Sequence, residues 1–168
     1  MDVFDAVRTL LAARTYQDKP VPAPLIHRIL EAGRLTASAE NKQPWHFVVV
    51  EESDILTQLG KLVGSSPYIA QAPLAIVTVI ERTPYAVSDA SRAIQSMMLA
   101  AWAEGVGGNW SGFLNLAGVK ALLGIPEKLD VLAVLPFGYP AESIGKGEKA
   151  RKPLDEIAYR GRWGAPFV

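Results

Sequence analysis

No cysteine occurs among the 168 residues, so disulfides, thiolate nucleophiles, Cys-ligated zinc and cysteinyl iron–sulfur clusters are all excluded. Histidine is scarce as well. His27 and His46 are far apart in sequence, which leaves a His-based metal site without a second ligand at useful spacing. Neither has a recognisable Ser or Asp partner motif, so a hydrolase reading has little behind it. The chain has no excess of either charge: 17 basic and 17 acidic residues give a formal net charge of zero. Nothing there argues for nucleic acid or an anionic membrane as partner. No apolar run nears the ~20 residues that span a bilayer. A basic, then apolar, then small-residue N-terminal pattern is also absent, so the cytoplasm is the expected location and no membrane the expected partner. The sequon Asn109-Trp110-Ser111 has no consequence without export.

What is present fits one globular domain over residues 1–168, with 49% hydrophobic and 20% charged residues. Its organising stretch is Leu35–Glu52, where a polar loop follows a helix-like segment and leads into Phe47-Val48-Val49-Val50. Those β-branched residues, bounded by turn formers, predict a fully buried strand. Ser38, Asn41 and Gln43 therefore belong to a loop between a helix and a core strand, a common place for binding groups. The plainer alternative is a loop whose Ser and Asn satisfy their own backbone.

Elsewhere the pattern alternates. Phe4, Val7, Leu10 and Leu11 form one helical stripe over residues 3–13, and a second helix carries Leu25, Ile26, Ile29 and Leu30 to Gly33. A third helix opens near Ser53 and breaks at Gly64-Ser65-Ser66-Pro67, before the apolar strand Leu74–Ile80. The longest helix runs from Ser88 to about Glu104 and is apolar on most sides, with Gly105 as its stop and Met97-Met98 as core filler. The glycine-rich segment Gly105–Gly112 fails as a dinucleotide fingerprint, because Trp110 occupies the third glycine position. A short helix, Leu116–Leu123, and an apolar strand, Asp130–Phe137, complete the core, and a basic tail follows.

Several of these segments resemble, in order, the nitroreductase family of FMN-dependent homodimeric oxidoreductases. Ser38-Ala39-Glu40-Asn41-Lys42-Gln43-Pro44-Trp45 is similar to its S-x-x-N-x-QPW signature, with Ala37 in place of the leading proline. Asp18-Lys19-Pro20-Val21-Pro22 before an amphipathic helix, Asp89-Ala90 through Gln95 to Ala101, and Gly105–Gly112 also match. So do Pro136-Phe137-Gly138-Tyr139-Pro140 and, at the end, Tyr159–Trp163. The likeness covers nearly the whole chain. Two departures stand out. Leu10, Leu11 and Ala12 lie where the family has Arg-Arg-Ser, and only Glu81–Tyr85 stands where it usually has a long lid.

The resemblance implies an α+β, three-layer domain: a mixed central sheet flanked by helices, homodimeric, with 141–168 a C-terminal extension packing on the partner subunit. It implies FMN as cofactor, a nicotinamide cofactor as electron donor, and a small-molecule acceptor such as a nitroaromatic or quinone. Carried over residue by residue, Arg14 would stand near the flavin pyrimidine edge or phosphate. Ser38, Asn41 and Gln43 would bind from the loop, partly across the interface. Ser111 and Gly112 would offer backbone N–H groups to flavin N5 and O4, and Lys149 and Arg151 would pair with the phosphate. No side chain has to act as general acid or base, so no catalytic residue and no metal ligand is named. The alternative on the same fold is a non-enzymatic binder of a flavin derivative or another planar cofactor such as haem.

Overall fold

The computed structural model describes residues 1–114, 116–142 and 149–167. Nine elements make the frame: α1 (Val3–Thr9), α2 (Ala23–Arg34), β1 (Trp45–Val50), α3 (Ser53–Leu62), β2 (Leu74–Glu81), α4 (Ala86–Ala103), β3 (Gly107–Gly108), α5 (Ala117–Leu122) and β4 (Leu129–Gly138). The strands form one sheet in the order β1-β2-β4-β3.

Period-two alternation along β2 sends side chains to two separate cores. Leu74, Ile76 and Ile80 pack with Ile26, Ile29, Ala93, Ile94 and Met97 of α2 and α4, while Ala75, Val77 and Val79 pack with Leu56 and Leu59 of α3 and Val119 of α5. The result is helix, sheet, helix: three layers, as expected. In β4 the alternation slips once. Thr78 pairs with Ala133 but Val79 with Val131, so Leu132 is an extra residue, and Leu132 and Ala133 both face the α2–α4 side. This is a β-bulge.

The sheet departs from expectation in one respect: every strand pairing among the described residues is antiparallel, not mixed. The connections explain why. The segment carrying α3 leaves at Val50 and returns beside it at Ala75, and the one carrying α4 and α5 leaves at Glu81 and returns beside it at Leu129. Parallel pairing needs a crossover from one end of the sheet to the other, and neither connection makes one.

Two further expectations shift. Val48 and Val49 are only half-buried because β1 is an edge strand. The first helix ends at Thr9, and its apolar stripe does not face the core: Phe4 is 75% exposed while Ala6 is buried. Met97 and Met98 are core residues, as read from the sequence. Among the described residues no helix is long and apolar enough to cross a membrane, and no cluster of His, Asp and Glu could hold a metal ion.

Candidate functional site

After α1 the chain runs extended along the outer edge of the glycine-rich segment. Ala13 N–H donates to Gly108 O at 3.0 Å, Gln17 N–H to Tyr139 O at 2.8 Å, and Ala141 N–H to Thr15 O at 3.1 Å. Arg14 is held between these bonds with its side chain exposed. The close approach explains a glycine: a Cβ at Gly107 would lie 2.7 Å from Ala13 Cβ and 3.0 Å from Pro140 Cγ. At Gly108 a Cβ would lie 2.7 Å from the Phe137 ring. These two glycines therefore let chain meet chain.

Residues 107–114 continue as a strap along β4. Ser111 and Val134 exchange both backbone bonds at 2.9 Å, and Leu114 N–H donates to Leu132 O at 3.1 Å. The Ser111 amide is thus committed to the sheet and is not available to a ligand as expected. Gly112 differs. It sits at φ +70°, and its N–H finds no hydrogen-bond acceptor among the described residues. Trp110 Nε1–H donates to Gly112 O at 2.7 Å and fixes the turn.

Beneath the strap lies a polar cluster that the sequence reading did not single out. The Tyr68 hydroxyl is 3.0 Å from Ser66 Oγ and 3.3 Å from Ser111 Oγ, and accepts from Asn109 Nδ2 at 2.5 Å. Burial alone would raise the Tyr68 phenol, but its hydrogen bonds with Ser111 and Ser66, with the nearby positive charge of Arg14, bring it below the ordinary phenol range. Tyr16, beside it, is pushed far up, first by burial and then by Tyr68. Its hydroxyl donates to Ala13 O at 2.9 Å. Ser66, Asn109 and Ser111 are all buried. In the sequence Ser66 and Asn109 are small polar residues next to Gly or Pro, as is common in ordinary turns, and Ser111 pointed to a backbone role only.

One tail cation, Lys149, reaches the same N-terminal segment. Lys149 Nζ donates to Val7 O at 2.7 Å, in the last turn of α1, and Arg151 lies close enough to act on it electrostatically. Burial, then that like charge, lowers the Lys149 pKa. Neither these two nor Arg14 pairs with a carboxylate among the described residues. The reading of Gly145–Glu148 as flexible basic tail lies outside the described residues.

The loop 38–43 is built separately. Ser38 Oγ accepts Gln43 N–H at 2.9 Å, Gln43 Nε2 donates to Asn41 O at 3.1 Å, and Ala39 N–H donates to buried Asp89 of α4 at 3.1 Å. Glu40, Asn41 and Gln43 all have φ near +50°, a left-handed conformation that costs roughly 1–2 kcal/mol per non-glycine residue. Asn41 and Gln43 remain exposed. Hence Ser38 and the Gln43 side-chain amide both satisfy their own loop, while Asn41 and Gln43 stay exposed on strained backbone. Asp89 was missed as a contributor, although a carboxylate between the core residues Ala86, Ala90 and Ala93 is a signal of its own.

The loop and the Arg14 side of the strap do not meet in one chain. Pro44 accepts Glu81 N–H, and Glu81 pairs with Leu129, so the loop sits at the start of β4; Tyr16 bridges Pro140, beyond its far end. Roughly 26 Å of strand separates Asp130 from Gly138.

Comparison with known proteins agrees with this architecture. The Nitroreductase family profile matches residues 11–83 and 70–139. A protein of Methanothermobacter thermautotrophicus, provisionally named NADH dehydrogenase/NAD(P)H nitroreductase, is 37% identical over 154 residues, covering 86% of this chain and 81% of its own. A crystal structure from Bacteroides thetaiotaomicron with the same provisional name superposes with a TM-score of 0.87 at 29% identity, over 94% of this chain and 96% of that one. The FMN-dependent nitroreductase of Clostridium difficile superposes at 0.85 with 23% identity, over 95% and 99%.

Proposed function

We propose a function for a chain that belongs to the nitroreductase family: it is an NAD(P)H-dependent oxidoreductase that passes electrons through FMN to a nitroaromatic, quinone or similar small acceptor. The M. thermautotrophicus relative carries a nitroreductase name, and the C. difficile neighbour is FMN-dependent. The donor set fits the cofactor. A phosphate dianion needs cationic donors, and Arg14, Lys149 and Arg151 have no carboxylate partner among the described residues. They offset the arginines missing at Leu10–Ala12. A flavin edge takes backbone donors, and the Gly112 N–H has no other acceptor among the described residues.

When bound, the flavin supplies the hydride and electron transfer. The chain's own residues bind and orient. Lys149 and Arg151 hold the phosphate, Arg14 places positive charge beside the ring system, and Gly112 donates from the strap. Ser111 contributes its hydroxyl to the Tyr68 cluster instead of its amide to the ligand.

The site is shared between two copies of the chain. The observation that carries this is the separation of the two groups: Asn41 and Gln43 at one end of the sheet, Arg14 beyond the other. Only a second copy brings both to one ligand. Apolar surface left uncovered in one chain supports the same reading. Val3, Phe4 and Val7 of α1, with Leu154, Ile157 and Trp163 of the tail, are exposed. Residues 141–168 then form an extension that lies on the partner, and the cytoplasm is the setting. The test is anaerobic titration of the FMN-loaded protein with NADH and NADPH. Stoichiometric bleaching of the flavin, reversed by a nitroaromatic or quinone, supports the reading; a flavin that stays oxidised with both donors refutes it.

A further inference from the structure

Apart from the residues assigned to FMN, a cleft of about 620 Å³ opens between α5, the start of β4 and the end of the strap, with Arg82 beside it. Small-ligand sites typically span ~300–1,000 Å³. Much of the lining is apolar: Leu114, Leu116, Ala117, Ala121, Ile125 and Val131. Four charged side chains share it, and two of them converge. Lys120 Nζ donates to Glu127 O at 2.8 Å, and Arg82 Nη2 donates to the same oxygen at 2.9 Å. One carbonyl thus holds two cations side by side. Arg82 commits Nε and Nη2 to Asp130 and Glu127, which leaves both Nη1 hydrogens without an acceptor among the described residues. The Glu127 carboxylate lies 3.2 Å from Lys120 Nζ and 3.9 Å from Arg82 Nη2.

That carboxylate is a weak occupant. The Glu127 side chain is 92% exposed, whereas the Lys120 side chain is 14% exposed. A solvated carboxylate on a long side chain gains little from such a pair and loses rotamer freedom in making it. An incoming carboxylate that also brings apolar surface has more to gain, because its body covers the wall beside the two cations. The charge balance selects its class. With Glu127 turned out to solvent, Arg82, Lys120 and Asp130 leave one net positive charge, which matches a single carboxylate; a phosphate dianion would exceed it and face Asp130. We propose that this cleft is a second binding site, for a small monocarboxylate with an apolar body, whose carboxylate replaces the Glu127 side chain on Lys120 and Arg82. The site adjoins the strap. A Cβ at Gly112 would lie 3.0 Å from Leu116 Cδ1, and Leu114 N–H ties the strap to Leu132 O. A ligand on Leu114 and Leu116 therefore acts on the support of the Gly112 turn. The inference does not depend on the FMN reading.

The test is amide NMR of the purified full chain titrated with naphthoate, with and without added FMN. Saturable shifts should appear at Lys120, Ala121, Gly124 and Gly112 with one Kd, whether or not FMN is present. Naphthamide, which has the same body and no charge, should bind about tenfold more weakly, the loss of a charged hydrogen bond. Acetate, which has the charge and no body, should also bind weakly, and inorganic phosphate should leave these resonances unmoved. Lys120→Met, which keeps the apolar stem, should cost about tenfold in Kd. Glu127→Gln removes the competing carboxylate at an exposed position and should tighten binding, so it decides the matter should Lys120→Met fold poorly. Three results would overturn the proposal: no saturable shift at α5, shifts confined to the Arg14 side and abolished by FMN, or naphthamide binding as well as naphthoate. Binding that is unchanged or weaker in Glu127→Gln overturns it too.

Discussion

The carboxylate of Asp89, buried in α4, accepts the backbone N–H of Ala39 at 3.1 Å and also pairs with Arg92 on the next turn. A single side chain thereby joins the long central helix to the strained loop that presents Asn41 and Gln43. Removing it should release the loop as well as unpair Arg92. Asp89→Ala should lower stability by about 1.5–3 kcal/mol, the range for hydrogen bonds to charged groups, and weaken FMN retention. Asp89→Asn keeps an acceptor for Ala39 N–H and should lose less of both. Urea unfolding with parallel measurement of bound flavin checks the pair.

Gly107 and Gly105 offer a matched contrast. A methyl at Gly107 meets Ala13 and Pro140, neither of which can swing aside, so Gly107→Ala should push away the segment bearing Arg14. Overpacking of this kind costs typically about 1–3 kcal/mol, and FMN affinity should fall with it. At Gly105 the space is open but φ is +78°. Gly105→Ala should cost about 1–2 kcal/mol of stability through backbone strain alone and leave FMN affinity unchanged. Thermal unfolding and flavin-fluorescence titration of both variants separate the two effects.

Lys149 and Arg151 are tested by the ligand as much as by mutation. Lys149→Ala with Arg151→Ala should weaken FMN binding by at least about tenfold, since charged hydrogen bonds are worth roughly 1.5–3 kcal/mol each. Riboflavin, which lacks the phosphate, should bind both proteins alike. Lys149 also sheds its proton at lower pH than an ordinary lysine. Its charge is complete in acid and lost as pH rises, so the wild-type preference for FMN over riboflavin should shrink toward alkaline pH. Equilibrium titrations with both ligands across pH provide the check.

At the other end of the sheet, Arg82 grips Asp130 with two bonds, 2.9 and 2.8 Å, closing β2 onto β4. The hydrogen bond from Arg82 holds the Asp130 carboxyl below its usual range. A depressed carboxylate contributes stability above its unfolded pKa and loses it as pH falls through the folded value. Both side chains are about half exposed, so solvent screening keeps the contribution small. Asp130→Asn should lose that contribution at neutral pH and show a flatter decline on the acid side. Urea unfolding at neutral and acid pH measures it.

The frame was legible because its signals are strong and local: the apolar runs of β2 and β4, the mostly apolar length of α4 and the glycine stop at Gly105 all fall where expected. What failed did so for tertiary reasons. The burial of β1 depends on which neighbours pair with it, and the stripe Phe4-Val7 looks identical whether it faces its own core or another chain. Ser111 shows the limit most clearly. Its place on a glycine-rich strap could be read from spacing, but its amide partner, Val134, lies across the sheet and has no trace in local sequence. Tyr68 was invisible as a site residue because its partners Asn109 and Ser111 lie far off in sequence, and Asp89, though marked by the core residues around it, gave no hint that its partner would be Ala39.

The account stands on one ligand held between two copies of the chain. Sedimentation velocity of the FMN-loaded protein, followed at the visible absorption of the flavin, addresses that directly. The yellow boundary should travel with a species of twice the 18.1 kDa chain mass. Flavin moving with a single chain, or a dimer that sediments colourless beside free flavin, would contradict it.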